Sequence, residues 1–107
     1  MNIADLTDAD LRGARLEGAD LRVSRLAGAR LDGALLHRAR IFGAHLSGAY
    51  LHAANLRGKD LQGARLRSTD LSNADLQEGL LVGADFSGAN LAAAKLCGVN
   101  GVGIEAP

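Results

Sequence analysis

The sequence predicts an all-β solenoid, a chain wound in short coils around an apolar axis, and three in-phase observations predict it. Leucine stands at residue 6 and at every fifth position through Leu96, nineteen sites of which only Ile41 and Phe86 differ. Two residues before each of these, fifteen of nineteen sites are Ala, the exceptions being Ser24, Lys59, Thr69 and Gly79. Two residues after each, eleven of nineteen are Gly.

A period of five excludes a continuous helix or strand. On a helix, successive leucines would lie about 140° apart and form no stripe. On a strand they would alternate between faces. Within one pentad, however, Ala and Leu share a face and the residue between them points the other way. Each pentad therefore reads as a three-residue strand, followed by a turn that Gly makes by reaching positive φ without steric cost. The period alone is satisfied by three sides or by four.

Pentads such as Ala14-Arg15-Leu16-Glu17-Gly18, Ala44-His45-Leu46-Ser47-Gly48 and Ala84-Asp85-Phe86-Ser87-Gly88 resemble the pentapeptide-repeat family. The resemblance covers about residues 2–100. It implies a right-handed, quadrilateral parallel β-helix, with one pentad per side and about five coils of four pentapeptides. At ~4.8 Å per coil these make a rod roughly 24 Å long. A single domain over 1–107 is expected, ending in a short cap or tail, 101–107.

The chain is 48% hydrophobic but has no apolar run of 18 residues, so no membrane contact is expected. Met1-Asn2-Ile3-Ala4-Asp5 lacks the basic and apolar blocks of a secretory signal. Lone Cys97 excludes an internal disulfide, and a bacterial, cytoplasmic setting is expected. Twelve basic and twelve acidic residues give net charge zero, and no direct nucleic-acid binding is expected. In the four-sided register, two sides are neutral, one has a surplus of one negative charge and one a surplus of one positive. Asp20, Arg40 and Asp60 then stack with alternating sign, as do Arg65 and Asp85. Ion pairs between them are expected to help fix the register, at about 1 kcal/mol or less each.

No pattern in the chain carries catalysis. His37, His45 and His52 point outward from three different sides, where they cannot converge on a metal. Cys97 points outward above Gln77, near Lys95. A filled solenoid has no concave pocket in which a nucleophile, base and orienting acid meet, so neither an enzyme nor a cofactor is expected. Ser24 and Thr69 read as small inward residues bonded to backbone. Lys59 is the oddest residue, because it occupies an inward Ala position. Its stem is expected to bend outward into room left by Gly79, with the ammonium free of the core or paired to Asp60 or Glu78, as a local bulge that the coil tolerates; a ligand-contact site is the alternative.

Outward apolar residues are not required by the repeat. Phe42, Leu80, Val82 and Val102 gather on the fourth side, with Val23 toward its other end, as a candidate protein-contact patch. A solenoid also exposes strand edges at both ends unless they are capped. Met1 to Ile3 stand at one end. Leu96, Val99 and Ile104 form a thin cap at the other, and end-to-end stacking of two copies into a homodimer is expected there. The first reading is thus a non-enzymatic structural or protein-interaction module with an unknown protein partner. The second comes from the resemblance alone: some family members mimic DNA and occupy the DNA-binding saddle of type II topoisomerases, so a topoisomerase (gyrase) protecting or inhibiting protein is the alternative. Such mimicry needs a continuous acidic surface. The mixed charges and short length oppose it.

Overall fold

In the computed structural model, which describes residues 4–101, the chain closes one coil every twenty residues. Parallel bridges join Asp5 to Arg25, Arg25 to His45, His45 to Arg65 and Arg65 to Asp85, and the same offset recurs on the other sides. With a turn every five residues, each coil has four sides. Coil 1 spans 4–23, coil 2 24–43, coil 3 44–63, coil 4 64–83 and coil 5 84–101. The body measures 29 × 25 × 23 Å, so the expected rod is a block nearly as wide as it is long.

Among the described residues every β-pairing is an isolated bridge, not a three-residue strand. The turns explain this. Each leucine carbonyl accepts from the N–H three residues on, as Leu6 does from Ala9 at 3.0 Å and Leu61 from Ala64 at 3.0 Å. The turn runs over four of every five residues, from each Leu to the next Ala, which leaves one residue per pentad to bridge. At all nineteen turns the second residue after the Leu position has positive φ, between 57° and 74°. That is the demand of a turn with a left-handed third residue. Eleven glycines meet it freely, whereas eight other residues meet it against the clash of their own Cβ, Val23 (φ 60°) being the worst placed because it is β-branched.

The residue before each leucine has a second task. From Asp5 to Asn90, every Asp or Asn at this place accepts with Oδ1 from the backbone N–H two residues on, at 2.9–3.2 Å. These nine Asx-turns hold the corner from outside while the leucine holds it from within. At Asp10 and Asp20 the arginine two residues on completes a forked pair, with its Nη2 at 2.7 Å from Oδ2. Those bonds, led by the arginine side chain, hold both carboxyls down at about 2. Side-chain hydroxyls of Thr7, Ser72 and Ser87 lower Asp5, Asp70 and Asp85, and the Gln77 backbone N–H leads the lowering of Asp75.

The core is a column of leucine and alanine. Leu26, Leu46, Leu66 and Phe86 stack on one side with exposures of 0–2%, and coils 2 to 4 supply most of the buried set. Ser24 and Thr69 sit inside this column with their polar atoms satisfied. Ser24 Oγ accepts from Ala4 N–H at 3.3 Å, and Thr69 Oγ1 donates to Leu46 O at 2.7 Å. Coil 1 and coil 5 are less covered: Leu6, Leu11, Leu16 and Leu91 are half-buried, and Leu96 is exposed.

Val23→Gly is expected to raise stability by about 1 kcal/mol in denaturant unfolding, because it removes a β-branched Cβ from positive φ. Gly63→Val, at φ 68° with open space around it, is expected to lower it by a similar amount. Stability should also depend on pH in one direction. The folded carboxyls of Asp10 and Asp20 lie below their ordinary 3.8, so they add stability above that value and lose it as pH falls toward about 2. Thermal unfolding should therefore be flat from pH 7 to 5 and fall below about 4. An Asp10→Asn, Asp20→Asn double variant keeps the turn acceptor and should show a shallower acid fall; an identical fall would contradict this assignment.

Candidate functional site

Each pentad facing the next coil normally makes three inter-coil hydrogen bonds. Arg25 N–H donates to Ala4 O at 2.9 Å, Leu6 N–H to Arg25 O at 2.7 Å, and Asp8 N–H to Ala27 O at 2.8 Å. Between coils 2 and 3 this ladder opens at one corner. Among the described residues, the N–H groups of Leu36, Arg38, Ile41, Asn55 and Asp60 donate to no carbonyl of the facing coil, and neither Leu35 with Asn55 nor Arg40 with Asp60 forms a bridge. Elsewhere only single bonds lapse, at Gly13 and Gly33.

Lys59 lies at the centre of the opening, opposite Ala39. Its own coil is properly joined on the far side: Gly58 N–H meets Gln77 O at 2.9 Å, Leu61 N–H meets Leu80 O at 2.8 Å, and Leu80 N–H meets Lys59 O at 3.0 Å. The failure is confined to the coil 2 side. A lysine stem needs more room than the alanine it replaces, and an ammonium without a partner must reach water. Parting the coils meets both needs. Ala34 is left half-buried in the middle of the solenoid, and desolvation lowers the Lys59 pKa from its usual 10.5.

This corrects the expected path of the lysine. A Cβ at Gly79 would stand 3.0 Å from Leu76 O and 3.5 Å from Lys59 O, so Gly79 admits a close backbone, not the lysine stem. Neither expected partner holds the ammonium. Asp60 Oδ1 accepts from Gln62 N and Nε2 at 3.1 Å, and Glu78 stands 3.5 Å from Arg57 Nη2. The stacked ion pairs are corrected too. Asp20 is bound by Arg22 of its own turn, not by Arg40, and Asp85 stands 3.8 Å from Arg67 Nε, not paired to Arg65. For Asp20 the arginine two positions along the same corner is simply nearer than the tip of one twenty positions away; Asp85 does pair with the coil below, but with Arg67 and not with Arg65.

Phe42, Leu80 and Val82 are exposed on the fourth side, at 44%, 40% and 36%, with Gln62 between Phe42 and Val82 in the stack. Val23, on the same side, is also exposed. Val102 and Ile104 lie outside the described residues. At the C-terminal end Leu96 is exposed, while Val99 packs partly against the core. Cys97 is exposed. His52 Nδ1 lies 2.8 Å from Ser72 Oγ, His45 is half-buried and His37 is exposed. No group of three His, Cys, Asp or Glu among the described residues is placed to hold a metal ion. No helix among them is long and apolar enough to cross a membrane. The sequence marks this place through Lys59, where a local bulge is expected; that the bulge parts coils 2 and 3 over five hydrogen bonds has no further signal there.

The twenty-residue coil and the turn every fifth residue agree with comparison to known proteins. The pentapeptide-repeats profile matches eight copies, over residues 4–41, 44–81 and 71–100. This chain belongs to the pentapeptide-repeat family. No curated protein matches it. Among solved structures it is similar to the pentapeptide repeat protein Rfr23 of the cyanobacterium Cyanothece 51142, with 32% identity over 96% of this chain and 64% of that one, and a TM-score of 0.60. A pentapeptide repeat protein of the Arabidopsis thaliana thylakoid lumen shares 31% identity over 94% of this chain and 63% of its own, with a TM-score of 0.57. The full-length plasmid-mediated fluoroquinolone resistance protein QnrB1 shares 26% over 96% and 60%, with a TM-score of 0.72. The chain thus spans slightly under two thirds of each. Pentapeptide repeat proteins form right-handed β-helices.

Lys59→Ala restores the pentapeptide pattern and is expected to let the five missing hydrogen bonds form. At about 1 kcal/mol net for each, unfolding free energy should rise by about 2–5 kcal/mol. An unchanged or lower thermal midpoint would show that Lys59 is not what parts the coils.

Proposed function

We propose that this pentapeptide-repeat protein is a non-enzymatic interaction module, a right-handed quadrilateral β-helix that presents its fourth side to a protein partner. The observation that supports this reading is that Phe42, Leu80 and Val82, with Val23, are exposed together on one side, whereas the other outward apolar residues, Leu35 and Tyr50, stand singly on two other sides. Each leaves apolar surface in water that a folded chain gains by covering, at about 25 cal/mol per Å². The repeat demands none of them, since outward positions elsewhere carry Asp, Arg, Ser and Gln with the same backbone. A homodimer formed through the end bearing Leu96 is the second part of the proposal, because that leucine is exposed where its counterparts in coils 2 to 4 are covered.

The likeness to QnrB1 favours a second reading, a topoisomerase-protecting protein of the DNA-mimic type. Against it stand the arginines on every side and the forked pairs that neutralise Asp10 and Asp20. Adding the protein to a gyrase supercoiling reaction containing a fluoroquinolone separates the two. The module reading expects no change in supercoiling; restored supercoiling would favour the mimic.

Phe42→Asp is expected to shift the thermal midpoint by no more than about 1 °C, since the side chain is already exposed. In affinity capture read by mass spectrometry, a partner kept by the wild type should be lost by this variant. If every captured protein bound both equally, the fourth side would not be the working surface. Sedimentation at high micromolar concentration tests the end-to-end dimer, and Leu96→Arg should yield monomer.

A further inference from the structure

Two clefts, of about 550 and 510 Å³, flank the opened corner, and Lys59 lines both. The second is lined by the basic residues Arg22, Arg38, Arg40 and Lys59 together with Ile41 and Phe42. Countercharge is short there. Asp60 also lines this cleft, but its Oδ1 already accepts two bonds from Gln62. Asp20, which acts on Arg40 through space, is forked by Arg22. Glu17 lines only the first cleft. Neither Arg38, Arg40 nor Lys59 forms an ion pair among the described residues. On a chain whose net charge is zero, this is a local concentration of positive charge.

The open ladder adds backbone donors to these cations. The N–H groups of Arg38, Ile41 and Asp60 belong to residues that line the second cleft, and none has a carbonyl partner. Buried or half-buried N–H groups take up an acceptor wherever one fits. Unpaired N–H groups at these three separate places, beside guanidinium groups, suit the oxygens of a phosphate or carboxylate. Phe42 suits an apolar body next to them, and the volume falls within the range of small-molecule sites.

We propose that the opened corner between coils 2 and 3 is a binding site for a small organic anion, a phosphate or carboxylate carried on an apolar body. Arg38 and Arg40 grip the oxyanion, Lys59 supplies a third charge from the inner side, and Phe42 covers the body. The same lysine that breaks the ladder thereby makes the site. A regular repeat with Ala at residue 59 has neither the opening nor the third charge.

The test is a titration of the isotope-labelled full chain, followed by amide chemical shifts at low ionic strength. The probes are phenyl phosphate, benzoate, inorganic phosphate and neutral benzyl alcohol. Phenyl phosphate and benzoate should give saturable shifts confined to residues 36–42 and 57–61, with benzyl alcohol giving none. Arg40→Gln and Lys59→Ala should each weaken phenyl phosphate by about tenfold or more, as expected for loss of a charged hydrogen bond. Both variants keep the leucine column, and Lys59→Ala should remain folded at higher temperature than the wild type, so lost binding is not lost folding. Inorganic phosphate should move the same amides at lower affinity; equal affinity would overturn the apolar part of the proposal. Shifts spread over all the surface arginines, or unchanged affinity in both variants, would overturn the site.

Discussion

The ladder of hydrogen bonds between coils is the constraint on which everything else depends. A backbone that turns every five residues cannot pair with itself locally beyond the single bond across each turn. Its remaining N–H and C=O groups must find partners twenty residues away. Leucine and alanine in the column drive the collapse, but apolar contact is non-directional and does not choose a register. Bonds such as Leu6 to Arg25 and Leu66 to Asp85, both 2.7 Å, choose it and repeat it up the stack. The turn geometry follows from the same demand. Positive φ at all nineteen corners is held even where Val23 or Arg38 must adopt it, because a coil with one relaxed corner would lose its register with both neighbours.

Much of this was legible in the residues, and what was not has a common physical reason. Leucine, alanine and glycine act through shape alone, so their spacing gave the coil, its core and its corners directly. Ser24 and Thr69 were read correctly as small inward residues bound to backbone, since an inward hydroxyl has nowhere else to bond. Side-chain pairing was misread. The stacked charges suggested pairs between coils, and two form, but between other residues, Arg57 with Glu78 and Arg67 with Asp85, whereas Asp10 and Asp20 bind the arginine two residues on, within the same corner. The bond from the recurring Asp or Asn before Leu to the turn N–H is invisible to a pattern that records only inward and outward. Lys59 was recognisable as an exception, but the side on which the structure yields depends on which ladder is weaker, and one residue letter does not hold that.

That exception links fold to function. A solenoid filled by leucine and alanine has flat sides and no interior space, which leaves its outer face as the place where it acts. Apolar residues on the fourth side and the parted corner around Lys59 are two departures from the repeat, and they adjoin at Phe42. Both carry a thermodynamic cost: exposed apolar area in one case, five unmade hydrogen bonds in the other. Neither departure is needed to build the coil. Departures that destabilise a fold without serving its architecture are where a repeat protein reveals its use.

Amide hydrogen exchange, resolved residue by residue, tests the central claim most directly, because it reads the ladder itself. The amides of Leu36, Arg38, Ile41, Asn55 and Asp60 should exchange far faster than their counterparts one coil on, Leu56, Gly58, Leu61, Asp75 and Leu80, which are bonded. Uniform protection across both sets would mean that coils 2 and 3 are closed in solution, and the account of Lys59 as the residue that parts them would be wrong.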